Sequence, residues 1–196
     1  MIREMEEFLA NTYYVDYMAE NIQKKAKELF SEEMTDVQKA EKAFLFVRDE
    51  IPHSFDCNAT VVTARASDVL EQKTGICHAK SNLLAALLRS QGIPAGFRYE
   101  HLTLADDDSL GYCLHCYNAV YLERKWIELD ARGNKPGVDA QFSLNERKLA
   151  FMPREEYDEY FLEGIFDKPD EATMERLDKA KNLQDVVNGL QERCAR

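Results

Sequence analysis

The stretch GICHAKSNLLAALLRSQGIPA, residues 75–95, decides the fold. Leu83, Leu84, Leu87 and Leu88, with Ala79, Ala85 and Ala86 between them, predict a largely buried central helix over residues 77–91. Gly92 follows at the position that favours a helix C-terminal cap, and Pro94 stands just beyond it. Upstream, Lys73-Thr74-Gly75 reads as a turn, which places Cys77 at the helix N-terminus.

Downstream of this helix the pattern changes to strands, expected over residues 97–104, 112–122 and 125–129. Glu123-Arg124 is short enough to join the second and third as a hairpin. Working upstream, Ser67 is read as the cap of a single helical turn ending at Gln72. Thr35-Asp36-Val37-Gln38 has the form of a capping box, so a helix should run from there to about Glu50, where Ile51-Pro52 stops it. Residues 2–30 carry apolar side chains at helical spacing, including Phe8, Met18, Ile22, Ala26 and Leu29, and predict one or two amphipathic helices. Residues 143–196 read as helices broken near Pro153 and Pro169. Helices, a buried helix, an antiparallel meander and further helices describe an α+β domain. At 196 residues, one compact domain over 1–196 is expected.

The chain carries 25 Lys and Arg against 36 Asp and Glu. Its net charge of −11 repels phosphate backbones and anionic lipid surfaces, so neither nucleic acid nor a membrane is expected as a partner. Met1 to Ala10, MIREMEEFLA, lacks the features of a signal peptide, and no stretch approaches the roughly 20 apolar residues that cross a bilayer. With five cysteines, an odd number, the simplest expectation is reduced thiols in the cytoplasm.

A thiol at a helix N-terminus has its thiolate stabilised by free backbone N–H groups and their partial positive charge. Those groups, including the N–H of Cys77 itself, are also placed to hold an oxyanion. Such a nucleophile requires an imidazole to take and return a proton and a carboxylate to orient it. His115, on the second strand, and Asp130, at the end of the third, fit those roles. Hairpin pairing would bring the two side by side.

Several of these segments together are identified with a known family. Ala66-Ser67-Asp68-Val69-Leu70, Gly75-Ile76-Cys77 and the run from Leu87 to Ala95 resemble the nucleophile segment of the transglutaminase-like superfamily. His115-Cys116-Tyr117-Asn118-Ala119-Val120-Tyr121-Leu122 and Lys125-Trp126-Ile127-Glu128-Leu129-Asp130 are similar to its histidine and aspartate strands, in the same chain order. Ala43 to Pro52 resembles the helix that precedes this core in bacterial members. The resemblance covers about residues 35–136, which makes residues 1–34 and 140–196 helical additions. It implies a papain-like cysteine-proteinase fold and thiol-dependent acyl transfer, which members use to crosslink, hydrolyse or deamidate amides in proteins and peptides, or to remove N-glycans. No cofactor is implied. Ile76 stands where animal crosslinking enzymes have glutamine, and Cys116 where many members have an aromatic residue. No flanking β-domains are read in the sequence, so calcium activation is not carried over. Hydrolysis of a peptide or protein amide is favoured over crosslinking.

Other readings compete. Cys113-Leu114-His115-Cys116 contains a CxxC, but residues three apart on a strand face opposite ways, which argues against zinc. Cys113 shares a face with His115 and is a candidate for a regulatory disulfide with Cys77. Asp106-Asp107-Asp108 reads as a solvated turn rather than a calcium loop. His53 and Gln72 are left open between a second oxyanion donor and ordinary loop residues. From another class, a binding or scaffold module that keeps the fold without catalysis is the rival.

Overall fold

The structure, a computed structural model, describes residues 5–104 and 108–187. Four helices come first, α1 (Glu20–Leu29), α2 (Asp36–Glu50), α3 (Ala66–Gln72) and α4 (Cys77–Arg89). Strands β1 (Ala95–Thr103), β2 (Tyr112–Leu122), β3 (Lys125–Leu129) and β4 (Tyr160–Phe161) follow, then α5 (Glu171–Lys179). The sheet is antiparallel in the order β3-β2-β1-β4, which gives the α+β architecture read from the sequence. Among the described residues no helix is long and apolar enough to cross a membrane.

Local chemistry accounts for most of these elements. At the start of α2, the Gln38 N–H donates to Thr35 Oγ1 and the Thr35 N–H donates to Gln38 Oε1, the reciprocal bonds of a capping box. α4 is buried along nearly its whole length, and Leu83, Leu84, Leu87 and Leu88 are fully enclosed. Each such side chain contributes roughly 1.5–3 kcal/mol of burial free energy. Gly92 takes the left-handed conformation, with φ +74, and the Ile93 N–H closes back on the Leu88 carbonyl. The β2–β3 hairpin turns through Glu123 and Arg124, both at positive φ (48 and 67), the geometry that matches strand twist.

Two expectations are corrected, whereas residues 5–30 hold one amphipathic helix, α1, of the one or two expected; residues 5–19 before it hold a short 3-10 turn, Glu7–Leu9. Side chains compete for the backbone in this segment: Asn11 Oδ1 accepts from the Met18 N–H, and Thr12 Oγ1 from the Val15 N–H. α3 is not capped by Ser67, because its N-cap is Arg65, which makes no side-chain cap bond. Asp16 supplies the acceptor instead, taking the Ser67 N–H at 3.0 Å and the Ser67 hydroxyl at 2.6 Å from 51 residues away. Finally, residues 143–170 form no long helix; they run as irregular chain that adds β4 beside β1 and leads to α5. Asp106, Asp107 and Cys194 lie outside the described residues, and Asp108 opens a short 3-10 turn.

Candidate active site

Cys77 is the first residue of α4, His115 lies near the start of β2, and Asp130 directly follows β3. Gly75 permits the approach to the helix, since a Cβ there would stand 3.2 Å from Ala79 Cβ and 3.3 Å from Thr63 Oγ1. The preceding loop is stitched to this turn: His53 bridges to Gly75, the Ser54 N–H donates to the Gly75 carbonyl, and the Thr74 hydroxyl donates to the Pro52 carbonyl.

His115 Nε2 and Asp130 Oδ2 are 2.8 Å apart, and both residues are buried. Asp130 is fixed by the backbone as well, with Oδ1 accepting from the Arg132 N–H and Oδ2 from the Ala150 N–H at 2.9 Å. Phe151 packs edge-on against the His115 ring, centroids 5.3 Å apart. With Nε2 directed at Asp130, the other ring nitrogen is left for the thiol. Burial alone would raise the Cys77 thiol, but the imidazoles of His78 and His115 outweigh it and hold it well below the ordinary range. Burial alone would lower His115, yet Asp130 and Cys77 hold it well above its ordinary value. The opposite shifts both favour the charged forms, thiolate and imidazolium, side by side.

Two more imidazoles join this group: His53, which the sequence left open, and His78, to which it gave no role in the triad. His53 Nε2 accepts the Cys77 N–H at 3.1 Å, so in the free protein that amide is already engaged rather than open to an oxyanion. Burial also lowers the His53 pKa, which favours the neutral ring that this acceptor role needs. His78 Nδ1 lies 3.3 Å from the Cys77 sulfur. Of the two readings left open for His53, the fold shows neither an ordinary loop residue nor a donor at Nε2, which accepts the Cys77 N–H; that role arises only once the loop next to Pro52 returns to Gly75. Gln72 ends α3 and is exposed, and no contact brings it to Cys77.

A buried cation ties these pieces together. Lys80, one turn after Cys77 and fully buried, donates from Nζ to the Ile51 carbonyl and, at 2.8 Å, to the Arg132 carbonyl. It therefore joins the nucleophile helix to the chain just before His53 and just after Asp130. Burial depresses its pKa to about 7. Outside it, Arg132 and Lys135 both engage Asp56, spanning the same two segments at the surface. Burial alone would raise the Asp56 carboxyl, but the two cations hold it well below the usual carboxylate range.

Cys113 and Cys116 sit on the continuous strand β2 and so face opposite ways; Cys116 is buried. Among the described residues Cys57, Cys77 and Cys116 are free thiols. Among the described residues no group of three His, Cys, Asp or Glu side chains is arranged to hold a metal.

A buried helix opening on a cysteine, packed on an antiparallel sheet that carries a His–Asp pair, defines a class of thiol-dependent enzymes. The family model of the transglutaminase-like superfamily matches residues 23–131, more than half of the chain, and the chain belongs to that superfamily. No curated protein matches the chain. Among solved structures, it is similar to a proposed cysteine protease from Cytophaga hutchinsonii, at 20% identity and a TM-score of 0.50 over 66% of this chain and 42% of that one. A structure described as a TGase is similar at 19% identity and a TM-score of 0.40, over 67% of this chain and 35% of that one. The chain thus spans less than half the length of either neighbour, and the first likeness is one of fold.

Proposed function

We propose that this protein hydrolyses amide bonds in a peptide or protein substrate, with Cys77 as nucleophile, His115 as general acid and base and Asp130 as the group that orients His115. The observation that carries this reading is the buried His115–Asp130 pair at 2.8 Å beside a thiol at the N-terminus of α4. The thiolate attacks the carbonyl carbon, the carbonyl electrons move to oxygen, and His115 protonates the leaving amine as the C–N bond breaks. The oxyanion is held by N–H groups at the first turn of α4, and the Cys77 amide leaves His53 for the incoming oxygen. Water, deprotonated by His115, then resolves the acyl-enzyme. Hydrolysis is favoured over crosslinking because Ile76 stands before the nucleophile where animal crosslinking enzymes have glutamine.

Residues 35–136 would then be the catalytic core, with residues 1–34 and 140–196 as additions to one domain. Arg89 of α4 supports this arrangement by donating to the carbonyls of both Ala10 and Asp167. Free thiols suit a reducing compartment, which favours a cytoplasmic site.

The test is labelling with iodoacetamide, read by intact mass. Cys77 should label quickly at pH values well below the unperturbed thiol pKa of about 8.5. Labelling should vanish in Cys77→Ser and slow at least tenfold in His115→Ala. If Cys77 shows no preference over the other thiols, the core serves binding rather than catalysis.

A further inference from the structure

Two imidazoles, those of His78 and His115, lie at the Cys77 sulfur, and the mechanism above uses only that of His115. His78 is fully buried, its Nδ1 is 3.3 Å from Cys77 Sγ, and its ring lies 6.1 Å from that of Tyr99. Its other nitrogen, Nε2, is buried with no hydrogen-bond partner among the described residues. These facts select a tautomer. A proton on Nε2 would be a buried donor with nothing to receive it, whereas a proton on Nδ1 is directed at sulfur. Helix geometry alone does not bring adjacent side chains together; the 3.3 Å contact exists because His78 is packed toward Tyr99 of β1 at the first turn of α4. It is independent of His115, which reaches the sulfur from β2.

We propose that His78 is a second catalytic imidazole. Its Nδ1–H donates to the Cys77 sulfur, holds the thiolate before attack, and receives it again as the leaving group when the acyl-enzyme is resolved. This rests on Cys77 being the nucleophile. During acylation the new C–S bond draws the lone pair from sulfur, and the His78 hydrogen bond weakens. During deacylation His115 takes a proton from water, and the resulting hydroxide adds to the thioester carbon. The tetrahedral intermediate then breaks its C–S bond, returning the electron pair to sulfur. His78 lowers the barrier to that departure without itself gaining or losing a proton. His115 is thereby free to deal with the amine and then the water. The titratable groups around the sulfur are His78 on its own helix, His115 and Cys116 on β2, Asp130 behind His115, and His53 on the loop after α2.

The experiment compares full-length wild type with His78→Phe, which keeps a ring of similar size against Tyr99, and with His78→Asn, whose Nδ2–H occupies the place of Nδ1–H. Iodoacetamide rates at Cys77 are followed from pH 4 to 9.5. Decay of the acetyl-enzyme formed with p-nitrophenyl acetate is followed by mass. His78→Phe should label at least tenfold more slowly near pH 5.5 and deacylate at least tenfold more slowly, and His78→Asn should recover much of both. Unchanged profiles in His78→Phe, with labelling still abolished by Cys77→Ser, would overturn the role of His78 and leave the nucleophile standing. Slow labelling of Cys77 in wild type would overturn both. A measurement on wild type alone covers a variant that fails to fold. The 15N shift of His78 Nδ1 should move when Cys77 is alkylated, and no movement would overturn the contact.

Discussion

Along β1 and β2, Phe97, Tyr99, Cys116 and Val120 belong to the apolar core around α4, and Asn118 of the same set donates to the Ser81 carbonyl of that helix. Arg98, Glu100, His115 and Tyr117 alternate with them and share the other face, since Arg98 pairs with Tyr117 and Glu100 with His115 across the strands. That second face meets the irregular segment after β3: Arg98 donates to the Leu162 carbonyl, and Phe151 packs on His115. Both faces are buried, yet their chemistry is opposite. The α4 face gains hydrophobic free energy from its Leu, Ala, Phe and Val positions, although His78 Nε2, Asn82 Oδ1 and Asn118 Oδ1 are buried there with no hydrogen-bond partner among the described residues. On the His115 face Arg98 Nε, both Glu100 carboxyl oxygens and the Tyr117 hydroxyl have no hydrogen-bond partner among the described residues. Each buried, unpaired group of this kind costs about 1–3 kcal/mol. The faces differ in what is left unpaired: beside the His115–Asp130 pair it is a carboxyl and a phenol, whose burial lowers stability next to the candidate site.

Substitutions on the two faces should therefore fail in different ways. The largest effect is expected from Asp130→Asn, which leaves His115 without its orienting carboxylate. Turnover, or the labelling rate at Cys77, should fall about 10³-fold or more, a loss of the size seen when a catalytic imidazole loses its tautomer control. A loss under tenfold would separate Asp130 from the chemistry. On the other face Leu129→Ala, at a fully buried position, should cost about 3 kcal/mol in urea unfolding and do so equally at every pH. A pH-dependent loss there would erase the contrast.

Glu100 sharpens the comparison in the opposite direction. Burial raises its pKa from 4.5 to about 8. Its favourable contribution is complete below the unfolded value and is lost as pH rises through the window from about 4.5 to 8. Glu100→Gln removes that dependence, so it should stabilise the protein by about 3 kcal/mol at pH 7 and change little at pH 4.5. Equal effects at both pH values would show that the carboxyl ionises freely in the folded protein. The smallest change is expected from Arg147→Ala. Arg147 pairs with Glu128 but its side chain is 37% exposed, so unfolding should shift by about 1 kcal/mol at most.

Much of this was legible in the residues. The apolar run of α4, the Thr35–Gln38 box and the alternation of β1 and β2 are local signals, and the elements formed close to the expected bounds. Cys77, His115 and Asp130 could be placed as candidate site residues at a helix N-terminus, on a strand and at a strand end, because each of these has a period or a cap that can be read. Other parts were not legible. Asp16 capping α3, Lys80 joining two carbonyls, and His53 accepting the Cys77 amide all link residues 24 to 52 positions apart. No local pattern encodes such pairs, although a lysine one turn into an otherwise apolar helix was a cue that it needed buried acceptors. The segment at residues 143–170 misled for a related reason: its scattered apolar side chains dock on the sheet face singly, without a helical period.

The sequence by itself determined the order of elements, the burial of α4 and the placement of a cysteine at its N-terminus, because propensity, capping and periodicity act within a few residues. Only the tertiary structure decided that the Cys77 amide is held by His53, that a second imidazole touches its sulfur, and that Glu100 is buried opposite His115. Those outcomes depend on which distant chains meet and on whether water can reach them, and burial and electrostatic coupling are properties of the packed molecule.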